Sequence, residues 1–147
     1  KFTNQKRGRV AFLGGSITNM NGWRPMVAEN LKKRFSGTEF EFVNAGIPST
    51  DSTLGPFRLD ADVFGKGEVD LLFVEFAVND DQDAHHTRRE CVRGMEGIVR
   101  HVRRHNPRSD IVMVYFVNPE MLATWQAGEA PLSAAAHDEV ARRRLVL

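Results

Sequence analysis

Three short segments of the sequence join a reactive or hydrogen-bonding group to residues that reverse the chain. They are Gly14-Gly15-Ser16-Ile17-Thr18, Asn44-Ala45-Gly46 and Ala77-Val78-Asn79-Asp80. These are the residue types that acyl transfer needs. A nucleophile must stand on a sharp turn, and Ser16 follows two glycines that let the backbone bend. Donors must also wait where negative charge develops. The backbone N–H of Ser16, the backbone N–H of Gly46 and the side-chain amide of Asn79 are three candidates. Gly46 has no β-carbon, so a substrate is expected to approach its N–H closely. Taken alone, Ser16 also reads as an ordinary turn serine, and Asn79-Asp80 as turn formers. Asp80 reads as a structural residue bracing its loop.

Each segment closes an apolar run. Val10 to Leu13 reads as a buried strand, Phe40, Phe42 and Val43 as a second, and Val69 to Phe76 as a central parallel strand covered on both faces. Ile111 to Val117 reads as a fourth strand, closed by Asn118-Pro119. Between them lie helical patterns. One starts near Pro25 and buries Met26, Val27, Leu31 and Phe35 before Gly37 ends it. Ile47 to Thr53 reads as a loop, and a short helix follows over Leu54 to Val63. Arg88 to His105 reads as an amphipathic helix stopped by Pro107, and Ser133 as the N-cap of a last helix through Val140. Strand and helix alternate, which implies a parallel sheet with helices on both faces, in one domain over residues 1–147. In such a sheet, ligands bind beyond the carboxyl ends of the strands, where all three segments fall.

Other arrangements carry less. The Gly-rich turn lacks the lysine and spacing of a P-loop, and Thr18 stands where a Gly-x-Ser-x-Gly elbow requires glycine. His101 and His105 are four apart, but Arg100, Arg103 and Arg104 beside them repel a cation, so a solvated face is the reading. Asp81, Asp83, His85 and His86 offer metal-ligand types without a recognised metal pattern. Asp83-Ala84-His85-His86 also has Asp-x-x-His spacing and reads as a solvated loop. Trp23 and Trp125 suit core packing or a sugar site.

The chain has 147 residues, 41% hydrophobic and 27% charged, with a net charge of +1. That is the composition of a globular α/β domain and not of a nucleic-acid or acidic-membrane binder. No apolar run is long enough to span a bilayer. Cys91 is the single cysteine, so no internal disulfide forms. That is compatible with a reducing compartment and with disulfide-free secreted enzymes alike. The first residue is Lys1, with no apolar leader core behind it.

Phe12 to Thr18 resembles the first conserved block of the SGNH (GDSL-like) hydrolases, in its Gly-Gly-Ser variant. Asn44-Ala45-Gly46 resembles the second block and Ala77 to Asp80 the third, with Ala77 in place of the usual glycine. The resemblance implies a flavodoxin-like three-layer α/β/α sandwich and ester hydrolysis without cofactor or metal. Ser16 would be the nucleophile, and Gly46 and Asn79 oxyanion donors. The Gly-Gly-Ser-Ile-Thr variant is reminiscent of esterases acting on acylated carbohydrates. The implied partner is therefore a small-molecule or carbohydrate acyl ester, with no role for nucleic acid or membrane. The family's last block, an Asp-x-x-His that supplies the base, has no counterpart after Val117. His137 sits on a helix of the kind that precedes that block, so the final strand, the base and its aspartate are expected beyond Leu147. The alternatives are a non-catalytic ligand- or protein-binding module without a base, and a phosphate-binding flavodoxin-like domain.

Overall fold

The computed structural model describes residues 1–144. Four parallel strands form one sheet: β1 (Arg7–Gly14), β2 (Glu39–Gly46), β3 (Leu71–Glu75) and β4 (Asp110–Met113). Their order is β2-β1-β3-β4, the flavodoxin-like order, which reverses direction between β1 and β3. The expected three-layer parallel fold is therefore present.

Side chains alternate across the sheet as strand geometry requires. Ala11, Leu13, Leu72, Val74, Ile111 and Met113 face one core. Three helices cover it: α4 (Gly55–Asp62) through Leu59, α5 (Arg88–His105) through Met95, Ile98, Val99 and Val102, and α7 (Leu132–Arg144) through Val140. The opposite face is aromatic. Phe12 stacks on Phe73 at 5.2 Å and on Phe42 at 6.4 Å. Trp23, the first residue of α3 (Trp23–Arg34), meets Phe12 edge-on at 5.3 Å. Trp23 is thus a packing residue. Right-handed crossovers put α3, which joins β1 to β2, opposite the helices that follow β2 and β3.

Several expected elements differ. The face of α3 is shallower than its pattern suggests: none of its residues is fully buried, and Met26 is 72% exposed. The inward positions are Trp23, Val27 and Leu31, spaced by four, and Met26 falls off that line. β4 stops at Met113, short of the expected Val117. Three short helices were not expected: α1 (Phe2–Gln5), α2 (Ser16–Asn19) and α6 (Pro119–Gln126). The start of α6 has a local cause. The side chain of Asn118 accepts a hydrogen bond from the Met121 N–H at 2.8 Å, and Pro119 fills the first turn,. Ser133 is not an N-cap. It lies inside the first turn of α7, buried, with no partner for its hydroxyl among the described residues. α5 begins where expected because Thr87 and Glu90 form a capping box: the Thr87 N–H donates to Glu90 Oε2 at 2.8 Å,. No helix among the described residues is long and apolar enough to cross a membrane.

The loop before α4 packs directly on α5. A β-carbon on Gly94 would fall 2.6 Å from the backbone carbonyl of Ser52. Alanine in a helix is normally favoured over glycine by about 1 kcal/mol. Here the sign reverses: Gly94→Ala is expected to destabilise by about 1–3 kcal/mol through overpacking. Urea denaturation checks this, and a raised midpoint would refute the close approach.

Candidate active site

Gly14 ends β1 between two neighbours, paired with Gly46 of β2 and with Glu75 of β3. The three strand ends therefore align at the point where strand order reverses, the usual ligand crevice of an open α/β sheet. From Gly14 the chain turns into α2, whose first residue is Ser16.

That turn is held from several sides. The buried Thr18 hydroxyl donates to Glu75 Oε2 at 2.9 Å. Arg24 donates from Nε to the Thr18 carbonyl and from Nη2 to the Asn19 carbonyl at 3.0 Å, capping α2. From α4, Arg58 reaches the Gly14 and Ala45 carbonyls at 2.9 Å each, tying the ends of β1 and β2 together. Asp62 anchors the same guanidinium at 2.9 Å. Ser16 is half-buried.

Gly46 also has a packing reason to be glycine. A β-carbon there would fall 2.7 Å from both Asn19 Cα and the Thr18 carbonyl carbon. The missing side chain lets α2 lie against the end of β2. The Gly46 N–H donates to Asn44 Oδ1 at 3.0 Å.

Asn79 opens a π-helical turn, Asn79–Asp83, directly after β3 and is only 2% exposed. Its side chain lies against Gly15: a β-carbon on Gly15 would meet Asn79 Cγ at 2.7 Å. Nδ2 donates to Asp83 Oδ2 at 2.7 Å, and Oδ1 is buried without a partner among the described residues. Asp83 thus fixes which way the amide points. Asp80 turns away from Asn79 into the interior, fully buried. Its Oδ1 accepts from the Ser52 N–H at 2.8 Å, and His137 Nε2 lies 2.8 Å from Oδ2. This pair ties α7 and the loop before α4 to the turn that carries Asn79.

The five histidines are placed as follows. His137 is on Asp80; His86 faces Asp51 at 3.5 Å and Glu90 at 3.8 Å. His101 Nδ1 lies 3.1 Å from the Pro56 carbonyl, His105 stacks on Phe64, and His85 is exposed. Asp83 and His86 therefore form no dyad, each going to a different partner. Two groups bring potential metal-ligand atoms within 4.8 Å: Asp80, Cys91 and His137, and Asp51, Asp80 and His86. Neither is the group of Asp81, Asp83, His85 and His86 that the sequence places side by side. Two clefts of about 430 Å³ open at the opposite ends of the strands around Lys1, Arg9 and Asp70. Ion pairs occupy their polar walls, Lys1–Asp70 at 2.7 Å and Arg9–Glu41 at 2.6 Å.

The family model described as the GDSL-like lipase/acylhydrolase family matches residues 12–146. The chain belongs to that family. Its fold is similar to that of a two-domain esterase active on acetylated mannans, with 31% identity and a TM-score of 0.75. That match covers 95% of this chain and 36% of the other, so the chain spans about a third of that esterase. An acetyl xylan esterase, AlAXEase, is similar at 18% identity and TM-score 0.74, covering 94% of this chain and 74% of its own. A lipase/acylhydrolase from Enterococcus faecalis is similar at 16% identity and TM-score 0.68, covering 95% and 73%. No curated protein matches the chain.

The strand ends also carry groups that motif spacing does not reveal. Arg24, Arg58 and Asp83 brace them from other elements. Glu75, fully buried, ends β3 beside the turn that carries Ser16. Its signal is an acid near the end of an apolar run. Burial raises its carboxyl from 4.5 to about 7, and the nearby Asp80 charge adds to this. The Thr18 hydroxyl and the Gly15 N–H pull the other way. Burial and Asp80 likewise push the Cys91 thiol up to about 12, which leaves it an unreactive core residue,.

Glu75 has a consequence for stability. Its folded pKa lies above its unfolded value, so the folded state holds the proton more tightly. The associated stability is complete below pH 4.5 and is lost as pH rises through about 7. The shift corresponds to about 3 kcal/mol. Denaturant titrations between pH 4.5 and 8 are expected to show this fall, and Glu75→Gln to flatten it. An equal fall in the variant would rule out Glu75 as its source.

Proposed function

We propose that the protein is a serine ester hydrolase acting through an acyl-enzyme on Ser16. The observation that carries this is the placement of Asn79 against Gly15, beside Ser16, at the aligned ends of β1, β2 and β3. Membership of the GDSL-like family supports it. In this reading Ser16 Oγ attacks the ester carbonyl carbon and gives its proton to a base. The carbonyl oxygen becomes an oxyanion held by the Ser16 N–H, the Gly46 N–H and the Asn79 amide. Collapse expels the alcohol, which takes the proton back. Water then attacks the acyl-enzyme by the same route and releases the carboxylic acid. Asn44 shares the Gly46 N–H with the oxyanion or yields it. Asp83 takes one of the two Asn79 Nδ2 hydrogens and leaves the other as the donor to the oxyanion. The base in this reading is a histidine oriented by an aspartate, supplied by the family's Asp-x-x-His motif. No step calls for a metal or organic cofactor.

The likeness to an esterase active on acetylated mannans supports an acetylated carbohydrate as the substrate. A second reading, a binding module that uses the same strand-end loops without turnover, is favoured by one observation. Among the described residues the Ser16 hydroxyl has no hydrogen-bonding partner. Hydrolysis of p-nitrophenyl acetate separates the two. Ser16→Ala is expected to abolish it, and Asn79→Ala to lower kcat by about 10²–10³. Hydrolysis that survives Ser16→Ala would remove the nucleophile assignment. Binding of acetylated oligosaccharide without turnover would favour the module.

A further inference from the structure

Glu75 is a fully buried acid at the end of an otherwise apolar strand, and its burial costs stability whenever it is ionised,. Nothing in the folding of β3 calls for it. Groups kept against a stability cost tend to sit where the site needs them. Its contacts point the same way. Oε2 accepts the Thr18 hydroxyl at 2.9 Å, and the Gly15 N–H also supports the carboxylate. Those two residues stand on either side of Ser16.

We propose that Glu75 is a positioning residue for Ser16, and that its ionised carboxylate braces the nucleophile turn by holding Thr18 and Gly15. This deepens the esterase reading and rests on it. The ionised form matters because it is the stronger brace: a hydrogen bond from the Thr18 hydroxyl to a carboxylate is roughly twice as strong as one to the neutral acid,. Protonation keeps the contact but weakens it, and a proton on Oε1, which is buried without a partner among the described residues, has no acceptor. The charged and titratable groups nearby come from four elements. Asp80 on the turn after β3 raises the carboxyl; His137 of α7 and Cys91 of α5 sit on Asp80; Arg58 of α4 holds the Gly14 carbonyl.

The test compares wild type with Glu75→Gln, Thr18→Val and Thr18→Ser on p-nitrophenyl acetate between pH 5 and 9. Wild-type kcat should fall below pH 7 more steeply than a single titration allows, because the base and Glu75 both take up protons. Glu75→Gln should lower kcat about tenfold at pH 8 with KM nearly unchanged, since a small misplacement of reacting groups is enough. It should also leave a single-proton fall. Thr18→Val should lower kcat similarly while keeping the acid, and Thr18→Ser should restore it. These two variants decide the matter if Glu75→Gln does not fold. An active wild type whose Glu75→Gln or Thr18→Val variant keeps its kcat and pH profile overturns the role of Glu75 and leaves the esterase reading standing. No hydrolysis at any pH by wild-type protein that carries its histidine base removes the esterase reading itself.

Discussion

The site depends on one piece of strand register. β1 lies in the middle of the sheet, and its last residue, Gly14, is level with Gly46 on one side and Glu75 on the other. A one-residue slip on either side would exchange inward and outward faces and move those ends apart. The two-faced core resists such a slip. Ala11 and Leu13 belong to the aliphatic core under α4, α5 and α7, and Phe12 belongs to the aromatic stack under α3. Packing thus fixes the register, and the register fixes where the turn carrying Ser16, Gly46 and the turn carrying Asn79 meet.

Backbone groups released at the strand ends then need partners, and buried polar side chains supply them. Arg58 takes the Gly14 and Ala45 carbonyls, Arg24 takes those at the end of α2, and Asp80 takes the Ser52 N–H. Such a network is rigid while complete, and costly to break in part. Glu75 Oε1, like Ser52 Oγ and Asn79 Oδ1, is buried without a partner among the described residues. Burial raises the Glu75 carboxyl into the neutral range. Stability and site geometry therefore make opposite demands on the same group.

Features with short sequence range were legible in the chain. Apolar runs located the strands, the chain-reversing residues after three of them fall at the aligned ends of β1, β2 and β3, and the span of α5 followed from its periodicity and from Pro107. Long-range features were not. Arg58 lies 44 residues from the carbonyl it holds at Gly14, and His137 lies 57 from Asp80. No local spacing reveals such pairs. The packing reason for Gly46 is likewise hidden from the sequence, because only the packed structure places α2 against it. The start of α6 is ambiguous in the sequence, because Asn118-Pro119 reads equally as a helix start and as the end of the preceding strand, which in fact ends at Met113. The base expected beyond Leu147 lies outside the described residues.

The central claim is that Ser16 carries the acyl group during turnover. Mass spectrometry of the protein, quenched in acid after brief mixing with an acetyl ester and then digested, tests it most directly. The account predicts an acetyl adduct on the peptide containing Ser16, located on that residue by fragmentation. An adduct on another residue, or ester turnover with no acyl-enzyme trapped under any quench, would contradict it.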